Sequence, residues 1–215
     1  MNYYINQALG FAIVFPAIIG IIKFNSAKKN FFPFLLFIWI GLLNEVLSFF
    51  ITRSGSSNAV CINIYTLAES LLIISQFWQW EIISKVTCRI LAIVLICGWI
   101  CENLILSKID VFNSYFTICY AFIIAILSVG SINKILSRTE TRLLQNPVFI
   151  ICIAFLTYFT YDILVESFWI YGLNENAKFR IGIYRIHTYI NLFANLMYAL
   201  AILWIRTKQK FTLPY

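Results

Sequence analysis

Seven runs of about 20 apolar residues, separated by short polar breaks, dominate this chain. A helix needs about 20 such residues to cross the hydrocarbon core of a bilayer. We therefore predict an all-α integral membrane protein, a bundle of seven transmembrane helices that forms a single domain over residues 1–215. The predicted spans lie near 4–22, 31–51, 60–80, 86–106, 111–133, 148–171 and 183–205.

The composition excludes a soluble or disordered chain. Apolar residues make up 61% of the sequence and charged residues 12%, whereas a soluble domain has about 45–50% and about 25%. The net charge of +7 does not indicate nucleic-acid binding, because the basic residues lie between the apolar runs. There they act as topology signals and contacts for anionic lipid head groups. We expect the lipid bilayer as a partner, and no nucleic acid.

The cysteines and the N-terminus carry no sign of a metal, a cofactor or a signal peptide. The six cysteines form no CxxC pair and have no histidine at metal-ligand spacing, so they are interpreted as small buried hydrophobes. Met1 to Gln7 has no positive charge, and no cleavage pattern follows it. We expect the first run to remain as a membrane span, kinked at Pro16.

Basic residues predict the orientation, because loops rich in Lys and Arg stay in the cytoplasm. An outer N-terminus puts eleven bases inside and five outside. The inner ones are Lys23, Lys28, Lys29, Lys85, Arg89, Lys134, Arg138, Arg142, Arg206, Lys208 and Lys210. Interfacial aromatics agree, with Trp78, Trp80 and Trp204 inside and Tyr3, Tyr4, Trp169 and Tyr171 outside. Richness in Ile, Asn, Lys and Phe favours an A+T-rich, bacterial genome, and hence the inner membrane.

A weak similarity between two parts of the sequence suggests an internal duplication. Asn63-Ile-Tyr65 opens the third run and Asn191-Leu-Phe193 lies in the seventh, while Glu45 and Asp162 lie in the second and sixth. These matches hint at a 3+1+3 arrangement, in which two three-helix units flank a linking helix.

Polar side chains recur every three or four residues in several spans, which places each set on one helix face. An ionised residue at the bilayer centre costs about 2.5–3.5 kcal/mol on insertion scales, so such groups need partners or water. We therefore predict an outward-facing acidic pocket, closed toward the cytoplasm by packed apolar residues. Its candidate ligand-binding or proton-site residues are Glu45, Glu69, Asp162, Glu166, His187, Asn191, Asn195 and Asn63.

Structural roles are the alternative for several of these residues. The asparagines can serve as interhelical hydrogen bonds, and Glu102 and Glu166 can be merely interfacial. His187, the only histidine, is more often the partner of a carboxylate than a metal ligand. We assign no catalytic residue and no metal site.

The sequence lacks the motifs of several known classes of membrane proteins and enzymes. The seventh run has no lysine for a retinal Schiff base, and the chain has no Pro-Gln pair of the PQ-loop kind, no histidine set for a membrane zinc hydrolase, and no GxSxG or Walker motif. The favoured function is binding or transport of a small cation, amine or proton. A signalling or assembly subunit and a membrane-embedded lipid hydrolase are the alternatives, and an enzyme is the less favoured class.

Overall fold

The computed structural model describes residues 9–27, 29–137, 143–172 and 177–205. A 3-10 turn, Phe11–Ile13, leads into α1 (Val14–Ile22), and one further helical turn covers Phe24–Ala27. The longer helices are α2 (Phe32–Arg53), α3 (Ala59–Gln79), α4 (Lys85–Ile100), α5 (Ser114–Leu136), α6 (Pro147–Tyr171) and α7 (Ala177–Trp204). Helix α4 continues as a π-helix over Cys101–Leu106. The described residues contain no strand, so the predicted all-helical class is confirmed.

Six helices, α2 to α7, are long and apolar enough to cross a membrane. The first apolar segment is shorter: Phe11–Ile22 falls below the length of a complete span. Residues 4–8 of the predicted first span lie outside the described residues, so a seventh span stays a prediction. The same holds for the expected positions of Tyr3, Tyr4, Lys28, Arg138, Arg142, Arg206, Lys208 and Lys210, which also lie outside them.

Local chemistry explains where several helices begin and end. Pro147 stands at the first position of α6, where its missing N–H is tolerated, and the Asn146 side chain accepts hydrogen bonds from the backbone of Val148 and Phe149. Gly172 ends α6 with φ +124°, which a side chain would oppose. In the first segment, Pro16 has no N–H for the carbonyl four residues earlier, and the helix is of the 3-10 type just before it.

The helices pack around a common centre. Along the ring, α1 contacts α2, α2 contacts α3, α3 contacts α5, α5 contacts α6, α6 contacts α7, and α7 returns to α1. Helix α4 lies outside this ring against α3 and α5, and many of its apolar side chains are exposed, as suits a lipid-facing helix. The short α1 therefore fills the gap between α2 and α7.

One glutamine fastens the start of α2 to the end of α3. The buried Gln76 accepts a 2.9 Å hydrogen bond from the backbone N–H of Phe34. Its side-chain amide donates another of 2.9 Å to the carbonyl of Asn30. Gln76 thus satisfies a backbone donor at the helix start, which has no partner within the helix itself.

Candidate functional site

A cavity of about 210 Å³ lies between the first segment, α2, α3, α6 and α7. Glu69 stands at the midpoint of α3 and Asn191 near the midpoint of α7, so the cavity is far from both ends of the bundle. Its wall is lined by Gly10, Ile13, Phe37, Gly41, Asn44, Glu45, Tyr65, Glu69, Tyr158, His187, Thr188, Asn191, Asn195 and Tyr198. Five of the eight predicted site residues are in this set.

Two tyrosines hold the carboxylate of Glu69. Tyr120 on α5 donates a hydrogen bond of 2.7 Å to Oε2, and Tyr65, one turn before Glu69 on α3, donates one of 3.1 Å to Oε1. Glu69 is 5% exposed. Both of its oxygens are therefore engaged by donors from the protein, which compensates part of the cost of burying the group.

Glu45 differs from Glu69 because no described residue donates a hydrogen bond to it. It lines the cavity from α2 and has no hydrogen bond or ion pair to any residue that the structure describes. Small residues surround it: a Cβ on Gly10 would lie 4.0 Å from its Oε2 atom, and a Cβ on Gly41 would lie 3.1 Å from the Tyr65 hydroxyl. The absence of a side chain at Gly41 lets Ile13 and Tyr65 approach α2 one turn before this carboxylate.

His187 links the cavity to Asp162. Its Nε2 atom lies 3.7 Å from Oδ1 of Asp162, and it has no hydrogen-bond partner among the described residues. The imidazole stacks on Tyr161, with ring centroids 6.0 Å apart and 20° between planes, and lies 5.5 Å from the ring of Tyr158. Asp162 is buried on α6 behind this histidine and is not part of the cavity wall.

The two asparagines of α7 bond to each other. The side-chain amide of Asn195 donates to the carbonyl of Asn191 and to its Oδ1, both at 2.9 Å. The Oδ1 atom of Asn195 has no donor within the described part of the chain. This pair leaves a buried acceptor on a residue that lines the cavity.

An aromatic cluster closes the end of the bundle where α2 and α6 begin and α3 and α7 end. Phe34, Phe37, Phe155 and Tyr198 meet edge to face with centroids 5.4 to 6.2 Å apart. Phe77 and Phe159 extend the cluster from Phe155. All six rings are buried, and Phe37 and Tyr198 also line the cavity.

Asn63, Glu166 and Asp162 are the predicted site residues that lie outside the cavity wall. The amide of Asn63 donates to the carbonyls of Ile109 (2.9 Å) and Val111 (2.6 Å), and its Oδ1 accepts from the backbone of Asn113 at 3.2 Å. Asn63 thus holds the loop before α5, which begins at Ser114 and not near residue 111 as predicted.

Glu166 and Glu102 lie at the start of α5. Glu166 lies near Ser114, the first residue of α5. Glu102, on the π-helical end of α4, accepts hydrogen bonds from the backbone N–H of Tyr115 and Phe116. A carboxylate suits this place because the first N–H groups of a helix lack partners and carry positive partial charge.

Sequence reasoning did not find several residues of the wall. Tyr65 could have been found, since it precedes Glu69 by four residues on one helix face. Gly10 and Ile13 of the first segment, Asn44 and Thr188 carried no comparable signal. Behind the wall, Tyr120 donates to Glu69 from a different helix, and this contact could be found only from the packing of α5 on α3.

The comparisons with known proteins are negative. No family model, no curated protein and no solved structure matches this chain. Its function has to be argued from the site alone.

Proposed function

We propose that this chain is a membrane protein of seven spans that binds or transports a small cation, amine or proton in its central cavity. The observation that carries the proposal is the charge of the cavity wall. Among the described residues, the wall contains the carboxylates of Glu45 and Glu69 and no Lys or Arg. In the part of the chain that the structure describes, neither carboxylate forms a salt bridge.

A carboxylate in a membrane helix is expensive, and such groups usually mark ligand or ion sites. Structural carboxylates are compensated by fixed donors, as Glu102 is by the backbone of α5. Among the residues that the structure describes, Glu45 has no such donor, so a positively charged ligand is the partner that this cavity fits best.

The arrangement of the helices supports the finer parts of the proposal. We infer a 3+1+3 organisation with α4 as the linking helix, because α4 lies outside the ring formed by the other helices. We place the N-terminus outside and the C-terminus in the cytoplasm from the basic residues. In this orientation the aromatic cluster around Phe155 closes the cavity on the cytoplasmic side of the bacterial inner membrane.

Orientation is tested by reporter fusions. A reporter at the C-terminus should be active only inside the cell, and one inserted in the loop 54–58 should be active only outside. The reverse result for either reporter contradicts the orientation.

Binding or transport is tested with purified protein in proteoliposomes. A set of small amines and monovalent cations is offered, and uptake is followed together with the change in internal pH. Glu45→Gln should reduce uptake or binding at least tenfold, whereas Glu81→Gln, at an exposed position in the loop before α4, should leave it unchanged. If no cation binds or moves, or if both variants behave as the wild type does, the proposal is wrong.

A further inference from the structure

We propose that His187 and Asp162 (the His–Asp pair) form a proton-binding site beside the cavity, and that a cation entering the cavity displaces the proton of this pair. The inference rests on the proposed function and deepens it, because it makes cation binding depend on pH. It is carried by the position of His187 between the cavity and a buried carboxylate, by the unpartnered nitrogen of its ring, and by the acidic groups around both residues.

His187 stands between the cavity and Asp162. It lines the cavity wall, whereas Asp162 lies behind it and is 7% exposed. The Nε2 atom of His187 lies 3.7 Å from Oδ1 of Asp162, and it is buried with no hydrogen-bond partner among the described residues. The ring of Tyr161 stacks on the imidazole, and the ring of Tyr158 lies 5.5 Å from it. These contacts hold the imidazole with one nitrogen toward the carboxylate.

The His–Asp pair has a place for one exchangeable proton. With that proton, the pair is either an imidazolium beside a carboxylate or an imidazole beside a carboxylic acid, and in both forms its net charge is zero. Without it, an imidazole faces a carboxylate and the pair carries one negative charge. The proton therefore belongs to the pair as a whole. Histidine suits such an exchange because its ordinary titration falls at about pH 5 to 8.

The charged groups around the His–Asp pair are mainly acidic. Glu69 on α3 and Glu166 on α6 lie near Asp162, and Glu45 faces the same cavity from α2. Arg180 on α7 lies near Tyr184, but in the described part of the chain no Lys or Arg forms a salt bridge with Asp162. The titratable groups that complete the surroundings are tyrosines: Tyr65, Tyr120, Tyr158, Tyr161, Tyr184 and Tyr198. A positive charge is therefore what these surroundings favour, and a proton or a cation can supply it.

A cation in the cavity acts on the His–Asp pair through its charge, and it does not need to touch Nε2. Tyr158 shows how close the groups are, because its ring lies 5.5 Å from that of His187 and it also lies near Asp162, Glu69 and Glu45. Charges several ångströms apart interact more strongly where little water lies between them. The pair without its proton therefore stabilises a bound cation. By linkage, the cation and the proton weaken each other's binding by the same factor.

The exchange conserves charge. One monovalent cation enters the cavity, and one proton leaves the His–Asp pair for the surrounding water, so the total charge of the site is unchanged. The affinity for the cation should consequently rise with pH over the range in which the pair loses its proton. The limit is about tenfold for each pH unit when one proton is released for each cation bound.

The first test uses the fact that the chain has one histidine. The full chain carries histidine labelled with nitrogen-15 and is purified in detergent through an affinity tag without histidine, so the NMR signals of the ring nitrogens come from His187 alone. The probes are sodium ion, potassium ion and methylammonium. We expect at least one of them, added at constant pH, to move the His187 signals in the direction that a rise in pH alone produces.

The second test counts protons by titration calorimetry. Binding of the same probe in two buffers of different ionisation enthalpy should show the release of up to one proton for each cation. His187→Gln and Asp162→Asn should still bind the probe but release at least fivefold fewer protons, and their affinity should change less with pH. Glu81→Gln, at an exposed position, is the control and should release as many protons as the wild type.

The outcomes separate this inference from the proposed function. A probe that binds without moving the His187 signals overturns the inference and leaves cation binding in place. Equal proton release from His187→Gln and the wild type also overturns it, because the proton would then come from another group. If none of the three probes moves the signals, the inference is wrong whatever the proteoliposome experiment shows, and that experiment alone decides the proposed function. The NMR comparison needs only the wild type, so it decides even where a variant fails to fold.

Discussion

Tyr120 on α5 donates a 2.7 Å hydrogen bond to Oε2 of Glu69 on α3, although 51 positions separate the two residues in the chain. With Tyr65 on the other oxygen, this contact ties two helices of the ring together at the depth of the cavity. Because Glu69 is only 5% exposed, its carboxylate depends on these donors. The contact therefore joins two helices and also fixes the position of Glu69 at the cavity wall.

Removing the hydroxyl of Tyr120 should destabilise the bundle. We expect Tyr120→Phe to lower the free energy of unfolding by about 1–2 kcal/mol, the range for an interhelical hydrogen bond to a buried polar group. Tyr115→Phe is the matched control, since Tyr115 lies on the same helix and is 63% exposed. The free energy of unfolding of both variants is measured by unfolding in mixed detergent micelles. Equal stability of the two variants would show that the contact with Glu69 contributes nothing.

Asn63 should be important for stability and not for ligand affinity. Asn63→Ala leaves the carbonyls of Ile109 and Val111 without their donor, and we expect a loss of about 2–3 kcal/mol. Asn58→Ala is the control, because the Asn58 side chain makes no capping hydrogen bond at the start of α3. Cation binding by the folded fraction of Asn63→Ala should match the wild type. A loss of binding without a loss of stability would instead place Asn63 in the ligand site.

Gln76 should be more important than its neighbour Gln79. Gln76→Met removes both the acceptor for Phe34 and the donor to Asn30, and should cost about 1–3 kcal/mol. Gln79 donates one exposed hydrogen bond, to the carbonyl of Lys29, so Gln79→Met should cost less than about 1 kcal/mol. Thermal unfolding compares the stability of the two variants directly. A larger loss of stability for Gln79→Met than for Gln76→Met would contradict the proposal that Gln76 holds the start of α2 against α3.

A side chain at Gly41 should force the end of the Ile13 side chain to move. A Cβ at Gly41 would lie 2.7 Å from Cδ1 of Ile13, so Gly41→Ala should cost about 1–3 kcal/mol through overpacking. Ile13→Val removes that methyl group, and the double variant should recover most of the loss. At Gly130 no atom lies within 4 Å of an added Cβ, so Gly130→Ala should be neutral or stabilising. A double variant no more stable than Gly41→Ala would assign the effect to another contact.

The polar face of each helix could be predicted, because it depends only on the spacing of residues within that helix. Side chains three or four positions apart share a helix face whatever the helix packs against, so Tyr65 and Glu69 had to be neighbours. Partners on other helices could not be predicted in this way. Asn63 and Glu69 belong to the same polar set on α3, but their separation of six residues shifts Asn63 by about 9 Å along the axis and turns it by about 120° around the helix. There it contacts the loop before α5, while Glu69 faces the cavity.

By itself the sequence determined the helical class, the position of six long apolar helices, and the set of polar groups that needed partners away from lipid. These follow from the length of the apolar runs and from the helical period, which act within each segment. The tertiary structure decided that Glu69 meets Tyr120, that Asp162 lies behind His187, that Glu102 caps α5, and that α4 stays outside the ring. Such contacts depend on the rotation and depth of one helix against another, and these are set by side-chain packing across the whole bundle.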